Sequence, residues 1–233
     1  MKTIGLLAGM SWESSLGYYR VINQGVNTAL GGLHSAKIVM VSVDFQPIEQ
    51  LQHSGEWQKT AELLITSAKQ VQAAGADCLL ICTNTMHKVA AEIENAIDIP
   101  LLHIADATAE VIIKKSLTTV GLLGTAFTME QGFYKNRLTE KFGIKVITPN
   151  EQDRMIVHEV IYQELCLGKV NLTSKNEYLR IIQTMADQGA QAVILGCTEI
   201  GMLVEQADTR VTLLDTTTIH GQKAIEFALK GEQ

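Results

Sequence analysis

Two short segments of this 233-residue chain carry residue types suited to proton transfer, and they occupy matching places in a repeat. One is Gly196-Cys197-Thr198-Glu199, which follows the apolar run Ala192-Val193-Ile194-Leu195. The other is Thr83-Asn84-Thr85, which follows Cys78-Leu79-Leu80-Ile81-Cys82. A thiol just past a buried strand, at the expected start of a helix, should have its pKa lowered by the helix dipole and free backbone N–H groups. Such a thiol suits a base or a nucleophile, whereas the bland alternative for a cysteine is a small packing residue. An alcohol at the matching place is a far weaker acid and base. Two equivalent positions facing one ligand from opposite sides would supply the geometry of a stereochemical inversion.

The repeat itself is read by aligning Gly75-Ala76-Asp77 with Gly189-Ala190-Gln191, which sets Thr83 on Cys197 and Cys82 on Gly196. Further upstream, the segment from Lys2 to Gly9 resembles that from Thr118 to Thr125. Gly17-Tyr18-Tyr19-Arg20 and Gly132-Phe133-Tyr134-Lys135 follow them at similar distances. Downstream, Pro100-Leu101-Leu102-His103 resembles Thr212-Leu213-Leu214-Asp215. One matching apolar run would mean little, because buried parallel strands all read as Val/Ile/Leu. Several in the same order indicate duplication, with loop insertions between the copies.

The elements that must position these residues follow from the apolar pattern. Runs at 3–7, 37–42, 78–82, 101–104, 119–123, 145–147, 192–195 and 211–214 read as buried strands. Helical spacing occupies 15–30, 55–73, 87–96, 105–115, 129–142, 151–167, 175–188 and 218–229. Alternation of this kind predicts an α/β fold of two pseudo-symmetric lobes, each a parallel sheet flanked by helices. The expected division is 1–104 plus 213–233 for the first lobe and 105–212 for the second, with the site in the cleft between them. Strand periodicity turns Cys82 away from whatever Thr83 faces, so its use in place of Thr83 would need a one-residue register slip. Cys78, Cys82 and Cys166 read as packing residues.

Ligands of open parallel sheets bind beyond the carboxyl ends of the strands. The loops there, at 9–11, 44–47, 83–85, 124–128 and 197–199, are rich in hydroxyls and amides and hold no Lys or Arg. Helix N-termini can bind a carboxylate without a cation, so a small carboxylated ligand fits better than a nucleotide. A net charge of −6, with no basic cluster interleaved with aromatics, argues against nucleic acid. No apolar run approaches the ~18 residues of a membrane span, and the stretch after Met1-Lys2 is too brief for a secretory signal. Four cysteines without a framework spacing suit a reducing cytoplasm. The six histidines show no metal spacing, so no metal is expected. A pyridoxal phosphate Schiff base stays open on residues alone, without support from the Lys-free loops.

Four segments carry a full-length resemblance: Lys2 to Met10, Thr83-Asn84-Thr85-Met86-His87, Leu123 to Met129, and Gly196-Cys197-Thr198-Glu199. On these the chain resembles the cofactor-independent aspartate/glutamate racemases. The resemblance implies two pseudo-symmetric lobes, a homodimer, no cofactor and no metal. In the usual member a cysteine precedes Asn-Thr in the first motif; here Thr83 stands in its place, as in the branch specific for L-aspartate and L-glutamate. It thereby implies Cys197 as base for the L-enantiomer and Thr83 as proton donor on the opposite face. Asn84, Thr85, Thr198 and Glu199 are implied contacts to the substrate's α-substituents, and Thr125 and Thr128 implied carboxylate ligands. Met10 and Gln52 are implied neighbours of the site. Where aspartate-specific relatives often have a lysine, this chain has the region of Cys166, with Lys169 close by. The Thr and Asn residues would also serve as turn and capping residues.

The leading expectation is thus a racemase of L-aspartate, L-glutamate or a related amino acid. A decarboxylase similar to the single-cysteine arylmalonate type would need only the second thiol, to protonate a carbanion. An amino-acid-binding sensor would have kept the loops and lost the chemistry, with Thr83 as the lesion.

Overall fold

In the computed structural model, which describes residues 1–230, the apolar runs form two separate parallel sheets. β1 (Ile4–Ala8) lies between β2 (Ile38–Ser42) and β3 (Cys78–Ile81), giving the order β2-β1-β3. β4 (Thr119–Gly124), β5 (Lys145–Ile147), β6 (Ala192–Gly196) and β7 (Thr212–Asp215) form the second sheet, in the order β5-β4-β6-β7. The described residues divide into two compact units, residues 1–104 with 220–230 and residues 105–219. The division expected at 212/213 falls inside β7, whose ladder to β6 holds it in the second unit. Residues 231–233, assigned from sequence to the first lobe, lie outside the described residues.

The duplication is visible in backbone register. Ile4 pairs with Cys78 in one sheet and Val120 with Ala192 in the other, so the aligned residues hold the same rung. Asp77 and Gln191, aligned in the repeat, do the same work. The Asp77 carboxylate accepts from Thr3 N–H at 2.6 Å, and the Gln191 amide oxygen accepts from Thr118 and Thr119 N–H at 2.8 and 3.0 Å. Gly75 and Gly189, which open the repeat, have φ of +89° and +100°. Each ends a helix in the left-handed conformation that a Cβ disfavours.

Strand alternation sorts the side chains. In the first unit Leu7, Leu79 and Ile81 pack with Ala61, Leu64, Ala68 and Val71 of the Trp57–Ala73 helix. Ile4, Leu6, Cys78, Leu80 and Cys82 pack on the other face with Tyr18, Ile22 and Ala224. Cys82 is therefore sealed in the core, and the ladder runs on without a slip, Cys82 N–H donating to Leu7 O at 2.9 Å. In the second unit Leu123, Val193, Leu195 and Cys197 share a face with Val157, Ile161, Tyr178 and Ile182.

Three elements differ from the sequence expectation. Residues 101–104 make a single bridge, Leu79 with Leu101, in place of a strand. Pro100 has no N–H to offer a ladder, and imidazoles take over two of the backbone groups beyond it. His220 Nε2–H donates to Leu102 O at 2.6 Å, and Ile104 N–H donates to His87 Nε2 at 3.2 Å. A helix, Phe45–His53, occupies what reads as a loop; Asp44 caps it through Gln46 N–H, and Pro47 sits in the first turn, where a missing N–H costs nothing. The helix expected at 129–142 is broken by extended Gln131 (φ −81°, ψ 154°) into Ala126–Glu130 and Gly132–Asn136, followed by a π turn at Arg137–Lys141.

His220 is fully buried, accepting from Tyr18 O–H at Nδ1 (2.8 Å) while Nε2–H binds Leu102 O. Burial lowers its pKa from 6.5 to about 4. The unfolded chain therefore takes up a proton at this side chain between those values while the folded chain does not, so stability falls as pH drops from about 6.5 to about 4. The full loss is on the order of 3 kcal/mol. Urea unfolding of the wild type and of His220→Gln across this range should show the extra acid sensitivity only in the wild type; parallel profiles would contradict the burial of a neutral imidazole.

Candidate active site

Because every strand in a sheet is parallel, each unit gathers its strand-end loops on one edge. In the first unit these are residues 9–11 after β1, 43–44 after β2 and 82–85 after β3. Thr83 continues the alternation of Leu79 and Ile81 and is 9% exposed. Its N–H donates to Ile81 O (2.8 Å), and its carbonyl accepts from His87 Nδ1 (2.8 Å). Asn84 and Thr85 are buried at the start of the 3-10 turn Thr85–Val89. Met10, expected on an open loop, packs in the apolar core with Leu7, Ile48 and Ala61. Gln52, also expected on a loop, is buried on the Phe45–His53 helix. The loop after β1 is organised by serines instead: Ser15 Oγ accepts from Gly9 N–H (2.9 Å) and donates to Ser11 O (2.7 Å).

In the second unit Cys197 lies the same number of residues beyond its repeat rung as Thr83. Gly124 and Gly196 are opposite one another just before the loops, and a Cβ on either would meet backbone. On Gly124 it would lie 2.8 Å from Gly196 O, and on Gly196 2.6 Å from Leu123 O. Any side chain at Gly196 would push the Cys197 loop off the sheet. Thr216 Oγ1 donates to Leu195 O (2.8 Å) and Thr217 Oγ1 to Thr198 O (3.5 Å), tying the loop to the chain after β7.

The expected activation of Cys197 by a helix start is corrected by its surroundings. The helix that follows, Ile200–Leu203, is four residues long and begins three residues later, too short for an appreciable dipole. The side chain is in the core, and desolvation pushes its thiol well up; the Glu199 carboxylate and Cys166 push the same way. Cys197 Sγ donates to Glu199 Oε2 at 2.9 Å, and Thr198 Oγ1 donates to the same oxygen at 2.9 Å. Cys197 therefore rests as a thiol beside a buried proton acceptor. Burial likewise raises Cys78, to about 11, and keeps Cys82 protonated.

Cys166, read from sequence as packing, is part of this cluster. It sits on the 3-10 turn Leu165–Leu167, and its Sγ is 3.9 Å from Glu199 Oε1. Lys169 lies exposed beyond Gly168, whose φ of +70° turns the chain. Nothing in the spacing of Cys166 marks it, because the contact is made across elements far apart in sequence. Glu199 thus engages two thiols and a hydroxyl of the protein itself, while the Thr125 and Thr128 hydroxyls lie 3.3 Å from one another. Thr125 caps the Ala126–Glu130 helix through Thr128 N–H (3.3 Å), and Thr128 is fully buried where a Cβ on Gly124 would touch it. Among the described residues no group of three His, Cys, Asp or Glu side chains could hold a metal ion, and no helix is long and apolar enough to cross a membrane.

The chain is similar to known proteins over nearly its whole length. A Yersinia pestis crystal structure, provisionally assigned as an Asp/Glu racemase, superposes with a TM-score of 0.91 at 55% identity, covering 98% of this chain and 100% of that one. An aspartate racemase homologue from Pyrococcus horikoshii OT3 gives 0.83 at 32% identity, covering 98% and 99%. The broad-specificity amino-acid racemase RacX of Bacillus subtilis (strain 168) is 23% identical over 173 residues, 71% of each chain. The Asp/Glu/Hydantoin racemase model matches residues 7–224, a span that includes both Thr83 and Cys197. With its two parallel sheets and that match, the chain belongs to the Asp/Glu/Hydantoin racemase family and is an isomerase.

Proposed function

We propose that this chain is a cofactor-independent racemase of L-aspartate, L-glutamate or a related small amino acid, with Cys197 serving one face of the substrate Cα and Thr83 the other. The observation that carries the reading is Cys197 Sγ at 2.9 Å from a buried carboxylate, on the rung of the repeat that Thr83 occupies in its own unit. Homodimeric assembly and a cytoplasmic location accompany the reading as family expectations.

A resting thiol must lose its proton before it can act as base. Glu199 Oε2 is the acceptor within reach, with the Thr198 hydroxyl on the same oxygen. The resulting thiolate takes the α-proton of the L-enantiomer, and Thr83 O–H delivers a proton to the opposite face, recovering its own from solvent while Glu199 releases to solvent the one it took. In the reverse direction Thr83 must first give up its proton to solvent to act as base, and Cys197, already protonated, is the donor. With an equilibrium of unity between enantiomers, kcat/KM is the same in both directions, so the difference between a thiol and an alcohol shows as faster α-proton exchange from the L-enantiomer. Asn84, Thr85 and Thr198 are the proposed contacts to the substrate's α-substituents, and Glu199 is reassigned from substrate contact to proton partner of Cys197.

The test is incubation with L- and D-aspartate and L- and D-glutamate in deuterium oxide without added pyridoxal phosphate. Loss of the α-proton is followed by NMR and inversion by chiral chromatography. Exchange with inversion, faster from the L-enantiomer, is expected; a folded protein that exchanges none of the four would contradict the substrate assignment. Cys197→Ser should lower exchange of the L-substrate by about 10²-fold or more, and retention of wild-type exchange would remove Cys197 from the base role. Thr83→Cys should raise α-proton exchange of the D-enantiomer by roughly tenfold or more, since a thiol is the better acid and base. If D-exchange stays flat in a variant that still exchanges the L-substrate, Thr83 does not face Cα.

Glu199→Gln removes the carboxylate that holds the Cys197 proton. Iodoacetamide labelling of Cys197 at pH 8, located by mass spectrometry, should then accelerate by roughly tenfold for each pKa unit released. Equal labelling rates would mean that Glu199 does not control this thiol.

A further inference from the structure

We propose that His87 is a positioning residue for Thr83, acting on the Thr83 proton transfer and leaving the Cys197 transfer untouched; the inference rests on the racemase reading above. His87 is buried, and both its ring nitrogens are committed. Ile104 N–H donates to Nε2 at 3.2 Å, so that nitrogen carries a lone pair and the single proton of the neutral ring is on Nδ1. Nδ1–H donates to Thr83 O at 2.8 Å.

Backbone geometry explains why an imidazole is needed there. In an α-helix, residue 87 N–H would donate to residue 83 O. Here the turn is 3-10, and His87 N–H goes to Asn84 O at 3.1 Å instead. The side chain of the same residue supplies the donor that the backbone withholds. With Thr83 N–H bound to Ile81 O at 2.8 Å, Thr83 is held on both sides of its Cα. The far end of the imidazole is anchored in turn. The 102–104 segment that offers Ile104 N–H is gripped at Leu102 O by His220, itself bound to Tyr18 O–H. His103 lies against His87 with ring centroids 4.5 Å apart.

A structural histidine would affect every step alike, whereas a positioning residue for Thr83 would not. Delivery from an alcohol depends on placement, and misplacement by about 1 Å can cost on the order of 10²-fold. Removal of α-hydrogen by Cys197 makes no use of Thr83 placement. The ratio of inversion to exchange, starting from L-aspartate or L-glutamate in deuterium oxide, therefore separates the two.

His87→Ala should lower that ratio by about tenfold or more while exchange from the L-enantiomer stays within about threefold of wild type. His87→Asn, whose amide N–H can reach the carbonyl as Nδ1–H does, should recover most of the ratio. His87→Asp, of the same shape without that N–H, should not, and this pair serves if the alanine variant fails to fold. Circular dichroism and thermal unfolding confirm which variants are folded. Exchange and inversion falling together in a folded variant, or a ratio indifferent to all three substitutions, would overturn the proposal. A wild type that exchanges neither amino acid is a different failure, that of the racemase reading, and takes the proposal with it.

Discussion

Backbone pairing along the two central strands, β1 and β4, is the constraint on which the rest of the molecule depends. Parallel ladders place all carboxyl ends of a sheet on one edge, and the register decides which residue leaves that edge first. Thr83 and Cys197 owe their equivalence to this register, since both continue the alternation of apolar residues that packs one sheet face. A one-residue slip would send Cys82 to the face that Thr83 now takes and Thr83 into the opposite core, moving every neighbour in the strand as well. The Gly124–Gly196 pair applies the same constraint at the rim of the second sheet, where only a residue without Cβ lets the loop leave at this angle. The loops that carry Thr83 and Cys197 thus leave directly from the central strands of each unit.

That origin has a chemical consequence. A side chain in register with the core is desolvated, and desolvation opposes a thiolate. Cys197 accordingly rests protonated, the reverse of what a helix start would produce. The buried carboxylate two residues away deepens the effect electrostatically while giving the proton a destination 2.9 Å off. A thiol so placed is ready as a donor, and becomes a base only when something takes its proton.

Much of this was legible in the sequence, and the failures have separable physical causes. The duplication and most of the strands follow from spacing, since apolar periodicity and helix-ending glycines are local signals. The 101–104 strand fails because its ladder partners are replaced by His220 and His87, side chains distant in sequence. The Phe45–His53 helix was announced by Asp44 and Pro47, but turn residues and first-turn residues look alike without the backbone. Cys166 gives no local sign at all; its partner Glu199 is supplied by the fold of the second unit. The expected lowering of the Cys197 pKa fails because sequence shows that a helix follows and does not show how short it is or how dry the thiol is.

The two units, built on one plan, surround Thr83 and Cys197 differently, and the difference suits the atoms concerned. An alcohol is a far weaker acid than a thiol, so its placement matters more than its titration. The first unit accordingly surrounds Thr83 with backbone restraint: an N–H held by the strand, a carbonyl held by an imidazole, and that imidazole held by a second segment. A thiol titrates within reach of its surroundings, so its environment is adjustable. The second unit puts a carboxylate, a hydroxyl and another thiol about Cys197, groups that act on a proton more than on a position. Reverting Thr83 to cysteine would therefore give the first unit a titratable group in a setting built to hold still, with no carboxylate at the place where Glu199 stands in the second. Asn84 and Thr85 occupy the aligned positions of Thr198 and Glu199, and they can orient a thiol without accepting its proton.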